Sequence, residues 1–316
     1  AVLSGIGVFL IRGLEPELAG RQLGGAARWL AVGSFRFQPS ETAKLLLILF
    51  FSRWFAGARE RGGSPFLLLQ TAGLAAAPML SILEEPDLST TIVLGWILWC
   101  MFFSSDVDKK VLGRLLGAGS LLFGLFLFLV TRPGQTILNE YQYRRIMAWL
   151  SPAAWAEESY QQAYSVLAIG SGGMAGRLGD ALGTMPAVIK SGFLPEPHTD
   201  FIMAAAGQEL GFAGCAGIIF LELWLTIRCL SLGTKAPDRE GRLFCAGMAA
   251  WIGGQSLINM GVASGLLPNT GLTLPFVSYG LTSLISLYMG LGIAVNVGIQ
   301  RKQSGGGRER KNIVHW

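Results

Sequence analysis

The chain has 316 residues, 51% of them hydrophobic and only 14% charged, with a mean hydropathy of +0.48. Soluble domains carry about 25% charge, so this composition excludes an ordinary soluble globule and indicates an integral membrane protein. The net charge of +5 and pI of 9.2 reflect where Lys and Arg sit around the apolar runs; they set topology and do not signal nucleic-acid binding.

Crossing ~30 Å of hydrocarbon takes about 17–25 helical residues. Runs of that length are predicted at 38–57, 65–83, 88–104, 111–131, 201–228, 243–263 and 271–299, and residues 1–12 resemble the tail of a further span. The chain starts at Ala1 inside that apolar run, so more spans are expected upstream. Strand-like alternation is lacking, which disfavours a β-barrel, and helices satisfy their own backbone in lipid. The expected fold class is therefore all-α: a polytopic helical bundle forming one membrane domain over 1–303, with a basic tail over 304–316. Arg53, Arg59 and Arg61 follow the first full span, Lys109, Lys110 and Arg114 the third, and Arg228, Lys235, Arg239 and Arg242 the fifth. The loops at 84–88 and 264–270 carry no Lys or Arg. The basic ends are thus cytoplasmic, and the long segment 132–200 is extracytoplasmic. A loop of that length is functional more often than connecting, and short helices are expected in it, for example around Ala163–Ile169. Cys100, Cys215, Cys229 and Cys245 fall in or beside spans with no C-x-x-C spacing, which fits packing residues.

Polar motifs cluster at the outer ends of the spans. Gly25–Leu30 contains Arg28 and Trp29. In Phe37–Leu45, Glu41 suits a helix N-terminus and shares a face with Lys44; the pair is either a local ion pair or a polar notch for an anionic headgroup. Asp87 in Glu84–Thr90 either caps the next helix or contributes to a cation or sugar site. Arg144 and Arg145 run against the positive-inside trend, and guanidinium forks suit phosphate oxygens; plain binding to membrane lipid headgroups is the alternative. The glycine run Gly170–Gly176 allows close backbone approach or simple helix packing. Leu194–Asp200 is a proline-stiffened loop carrying Glu196, His198 and Asp200 into a helix mouth, where a carboxylate can stay ionised and act as a base or metal ligand. Glu209 lies roughly 13 Å further along that helix, with Gln208, Gln255 and Asn259 as candidate partners. Gly265–Gly280 contains two prolines, Ser278 and Tyr279; such irregular backbone at membrane depth must be buried or line a cavity.

Taken together, the segments GAARWL, FQPSETAKL, EPDLST, YRRIMAWLSP, AIGSGGMAG, FLPEPHTDF, QELGF and GLLPNTGLTLPFVSYG resemble, in order, the SEDS family of bacterial shape, elongation, division and sporulation proteins. The resemblance covers nearly the whole chain. It implies ten transmembrane helices, the first two and part of the third preceding this sequence. It also implies a peptidoglycan glycosyltransferase of the inner membrane, polymerising lipid II on the extracytoplasmic side, with Asp200 as the catalytic residue. Substrate-binding residues are expected among Arg28, Trp29, Glu41, Lys44, Asp87, Arg144, Arg145, Glu196, His198, Ser278 and Tyr279. An α-linked donor and a β-linked product require inversion, so one base and a charge-balanced diphosphate suffice. The balance would come from Arg, Lys or a divalent cation, magnesium or manganese, with no organic cofactor. The implied partner is a class B penicillin-binding transpeptidase. The sequence departs from the family pattern at Glu85, Ser89, Gly192, Gln208 and Leu281, and its Gly271–Pro275 stretch looks more like division or sporulation members. A lipid II flippase would concentrate charge near the midplane, where Glu209 alone points; a non-catalytic scaffold would leave Asp200 dispensable. A single outer cavity is expected, lined by Pro268–Pro275, Gly170–Gly176 and the first turns after Asp200, close to Lys44, Asp87 and Tyr279.

Overall fold

The computed structural model describes residues 30–32, 35–57, 65–84, 87–105, 140–179 and 197–311, with isolated positions between 113 and 138 and at 189 and 194. The 1–12 run, Arg28, Trp29, Glu196 and most of the 111–131 span lie outside the described residues.

A two-stranded antiparallel ribbon comes first, β1 (Leu30–Val32) with β2 (Phe35–Phe37), pairing Leu30 with Phe37. Helices follow: α1 (Pro39–Ala56), α2 (Pro65–Glu84), α3 (Leu88–Ser104), α4 (Glu140–Leu150), α5 (Ala156–Ser171), α6 (Ile202–Thr234), α7 (Arg239–Ala263) and α8 (Leu281–Lys311). A 3-10 turn spans Arg177–Gly179. The first three expected spans match α1, α2 and α3 to within a residue or two. The last does not: 271–280 is irregular and α8 begins at Leu281. Pro275 cannot donate to a helical ladder, and Gly271 and Phe276 hold left-handed backbone, φ 70° and 59°.

The chain forms two compact units, one of residues 1–109, 224–254 and 281–316, the other of 110–223 and 255–280. In the first, α1 packs against α3 and α8, and small residues of α7 and α8 meet large side chains of their neighbours. Gly247 sits against Ile48 and Met101, Gly254 against the Trp96 indole, and Gly290 of α8 against Met248 and Leu45. Small residues let helix backbones approach where lipid removes the hydrophobic drive to associate. Trp96 Nε1 also donates to Ala250 O at 3.1 Å. Along α6, large apolar side chains point outward as well, among them Phe212, Phe220, Leu223 and Ile227. That inverts the soluble pattern and suits a helix solvated by lipid.

In the second unit, α5 runs alongside the first half of α6. Ile169 meets Met203 and Gly207, and Gly172 lies against Gly207. The expected helix at Ala163–Ile169 is thus a longer one that descends with α6. α6 itself breaks at Gly211, at φ 67° and ψ −163°. The break strands backbone donors, and the glycine run receives them: Phe212 N–H donates to Gly173 O at 2.8 Å and Ala213 N–H to Met174 O at 3.1 Å. Gly176, at φ 68°, packs so closely that a Cβ there would lie 2.3 Å from Glu209 O.

Gly176→Ala is expected to lower stability by the ~1–3 kcal/mol of overpacking on top of the ~1–2 kcal/mol of left-handed backbone. Gly173→Ala, whose Cβ would meet open space, carries only the backbone cost. Thermal unfolding in detergent separates the two, and equal midpoints would refute the close-packed break.

Candidate active site

The loop before α6 is held by the irregular segment between α7 and α8. Tyr279 N–H donates to His198 O at 2.9 Å. Ser278 Oγ donates to Thr199 O at 2.6 Å and accepts from Leu274 N–H at 2.8 Å. Asn259, on α7, donates to Asp200 O at 2.8 Å and Leu272 O at 2.6 Å. One turn earlier, Gln255 donates to Thr273 O at 2.8 Å. Each carbonyl of the triplet 198–200 therefore has a donor, and the Asp200 side chain is carried on a fixed turn. Phe276, left-handed and aromatic, marks local strain of about 1–3 kcal/mol, held by Ser278 N–H donating to Leu274 O at 3.0 Å.

The side chains around this turn are more open than its backbone. Asp200 is half-buried and His198 exposed, its ring 5.8 Å from that of Tyr279, which is 72% exposed. Arg145 reaches the same place from α4, where Nη1 donates to Asn269 O at 3.3 Å. A Cβ on Gly271 would sit 3.3 Å from Asp200 Oδ2 and 3.7 Å from Arg145 Nη1. Carboxylate and guanidinium thus flank one glycine. Arg144 is differently placed: it pairs with Glu140 at 2.5 Å and Glu158 at 3.1 Å on an exposed face. The hydrogen bonds it donates to Glu140, reinforced by the one to Glu158, raise its pKa above the usual guanidinium value. Of the expected groove wall, Met203 and Leu274 pack into one apolar cluster, against which Ile169, just before the glycine run, also rests.

Three residues expected to touch substrate have other work in the first unit. Lys44 is 0% exposed; its Nζ donates to Glu41 Oε1 at 2.8 Å and lies 5.0 Å from the centre of the Trp251 ring. Glu41 is buried with it, and its Oε2 has no hydrogen-bond partner among the described residues. Of the two alternatives, the local ion pair describes it and the polar notch does not: the pair is internal, against the Trp251 ring. Asp87 is a 3% exposed N-cap of α3, accepting from Thr90 N–H at 3.1 Å and Thr90 Oγ1 at 2.8 Å. The capping alternative describes it, since both carboxylate oxygens serve the first turn.

Glu209 pairs at 3.8 Å with Arg177, and Gln208 accepts from Ile189 N–H at 3.0 Å. The candidate partners Gln255 and Asn259 are instead engaged with the irregular segment. The sequence reading missed Glu222, which is 4% exposed on α6 and accepts from Ser256 Oγ at 3.0 Å. Its signal was a lone acid inside an apolar span, a position that is costly unless partnered.

Residues 2–303 match the family model of FtsW, RodA and SpoVE, described as cell cycle proteins. Probable peptidoglycan glycosyltransferase FtsW of Tolumonas auensis is 34% identical over 292 residues, covering 90% of this chain and 71% of that protein. The protein of the same description from Bacillus subtilis is 34% identical over 299 residues, covering 93% and 72%. Among solved structures, a chain from a study of polymerization and crosslinking by a peptidoglycan synthase complex superposes with a TM-score of 0.76 at 29% identity, covering 96% of this chain and 80% of that one. The rod shape determining protein RodA of Thermus thermophilus gives 0.62 at 28%, covering 95% and 76%.

Breaking the buried ion pair from one side should strand the other charge. Lys44→Met is expected to cost about 3–5 kcal/mol, and Glu41→Gln with Lys44→Met should recover most of it. If the double variant unfolds no later than the single one, the pair is not what Lys44 is there for.

Proposed function

The chain belongs to the FtsW, RodA and SpoVE family of cell cycle proteins, and from that premise we propose that it polymerises lipid II with Asp200 as general base and Arg145 beside the diphosphate. It is a peptidoglycan glycosyltransferase of the polytopic membrane fold. The observation that carries the residue assignment is the shared space at Gly271, with a half-buried carboxylate on one side and a guanidinium on the other.

The chemistry asks for that pairing. A sugar hydroxyl is a poor nucleophile until a base removes its proton, a contribution of typically 10²–10⁴-fold. Asp200 takes the proton as the hydroxyl oxygen bonds to the donor's anomeric carbon. The bond from that carbon to the diphosphate oxygen breaks, and undecaprenyl diphosphate leaves with the electron pair. One displacement inverts the anomeric centre without a covalent sugar intermediate. Arg145 offsets the charge of the leaving group through paired, charge-assisted hydrogen bonds. His198 and Tyr279 form the exposed rim on which the sugars rest.

Among the described residues, no three His, Cys, Asp or Glu groups converge into a protein-built metal cage. A magnesium or manganese ion would therefore be held by Asp200 together with diphosphate oxygens, the arrangement magnesium commonly adopts, and would add to the charge balance. This reading puts the site on the extracytoplasmic side of the inner membrane; what supports it is that Asp200 precedes the apolar α6 while Arg228, Lys235, Arg239 and Arg242 follow its span, the asymmetry of the positive-inside rule. A class B penicillin-binding transpeptidase is the partner this reading calls for, because the nascent strand emerges where crosslinking takes place.

Asp200→Asn keeps the size of the side chain and removes the base. The expected outcome is loss of polymerisation by at least about 10²-fold with an unchanged thermal midpoint, measured with purified protein and lipid II. A near wild-type rate would overturn the assignment of Asp200. Arg145→Gln should weaken lipid II binding, and rising salt should weaken the wild type toward it. Arg144→Gln, with its guanidinium engaged by Glu140 and Glu158, should do less; equal losses would reduce both arginines to headgroup anchors.

A further inference from the structure

We infer that Asn259 is a positioning residue for catalysis: it fixes the spacing of Asp200 and Arg145 by donating both of its amide hydrogens to the two segments that carry the gap between them. The inference rests on the reading of Asp200 as the base.

A carboxamide NH₂ has two donors and no more. Asn259 Nδ2 gives one hydrogen to Asp200 O at 2.8 Å and the other to Leu272 O at 2.6 Å. Asp200 O belongs to the residue proposed as base, and Leu272 is covalently next to Gly271. Gly271 in turn occupies the space between Asp200 Oδ2 and Arg145 Nη1. A single side chain on α7 therefore ties together the turn that bears the carboxylate and the strap across which the guanidinium faces it. Arg145 is itself anchored to that strap through Asn269 O at 3.3 Å.

Asn259 is the tie that joins both segments. Gln255 lies on the same face of α7 one turn away and donates to Thr273 of the strap, through O at 2.8 Å and Oγ1 at 3.2 Å. Ser278 and Tyr279 hold Thr199 and His198, on the far side of the turn from Leu272. Asn259 is 1% exposed, so substrate does not reach it, and its own Oδ1 has no hydrogen-bond partner among the described residues. A group kept for packing alone would not leave a buried acceptor unpaired. What the position requires is two hydrogens at one atom, which Ser, Thr or a carboxylate cannot supply.

The test uses steady-state polymerisation of lipid II by the purified, reconstituted protein. Asn259→Ala removes both donors, and Asn259→Asp keeps the shape while losing them when ionised. Both are expected to lower kcat about 10–100-fold with KM for lipid II changed less than about threefold, the signature of an interaction realised in the transition state. Gln255→Leu, which cuts the strap elsewhere, should leave kcat within about threefold. Wild-type kcat in Asn259→Ala or Asn259→Asp, or a rise in KM matching the loss of kcat/KM, would overturn the inference, as would failure of both variants to fold. Asp200→Asn is run alongside. If it polymerises normally, the catalytic reading falls; if it is inactive while the Asn259 variants are not, only the positioning role falls.

Discussion

Inside a bilayer a backbone group without a partner has no water to turn to, and every departure from helix must be satisfied from within the protein. That constraint governs each irregular stretch of this chain. Where α6 breaks at Gly211, the freed donors of Phe212 and Ala213 find the carbonyls of Gly173 and Met174. Where the chain turns into α6, the carbonyls of His198, Thr199 and Asp200 find Tyr279 N–H, Ser278 Oγ and Asn259 Nδ2. Where α7 gives way to extended backbone, Gln162 donates to Val262 O at 2.8 Å and Leu267 O at 2.6 Å, and Ser165 to Ala263 O at 2.8 Å. The polar residues of α5 and α7 are thus spread through apolar helices because the loops between helices need them.

Charge obeys a stricter version of the same rule. Glu41 and Lys44 are buried together, and desolvating two ions can cost as much as their attraction returns. The geometry limits the cost: three residues of helix set the pair at 2.8 Å, and the Trp251 ring supplies a second electrostatic contact, worth up to about 2 kcal/mol when desolvated. Glu222 solves the problem with a hydroxyl, through Ser256. These groups hold helices in register, whereas Asp200 and Arg145 flank Gly271.

Legibility in the sequence followed the same division. Hydropathy located α1, α2 and α3 nearly to the residue, because burial in lipid depends on composition over a window. It placed the start of α7 at 243 where the helix begins at Arg239, since a charged first turn is invisible to an apolar average. It could not see the break at Gly211, which depends on a glycine run some 35 residues upstream in the chain. The i, i+3 spacing of Glu41 and Lys44 announced an ion pair, yet whether that pair faced solvent was decided by Trp251, some 200 residues away. Gln255 and Asn259 were recognised as polar anomalies and matched to Glu209, the nearest deep charge; their partners are backbone carbonyls, which carry no residue-type signal. Glu222 escaped notice because one acid barely lowers the mean of a long apolar run. The motif around Asp200 was legible because Pro, His and Asp at a helix mouth are individually uncommon and here adjacent.

The turn at 198–200 shows how holding and acting are kept apart in so small a space. Its main-chain oxygens are the groups engaged by α7 and the strap, at 2.6–2.9 Å. Its side chains stand toward the open side, with His198 exposed beside Tyr279 and Asp200 half-buried at Gly271. Backbone hydrogen bonds fix position without altering the charge of a side chain, so the turn is held rigid through its main chain. The same anchoring explains why an apolar transmembrane helix devotes two consecutive turns, Gln255 and Asn259, to amides whose work is to hold other segments still.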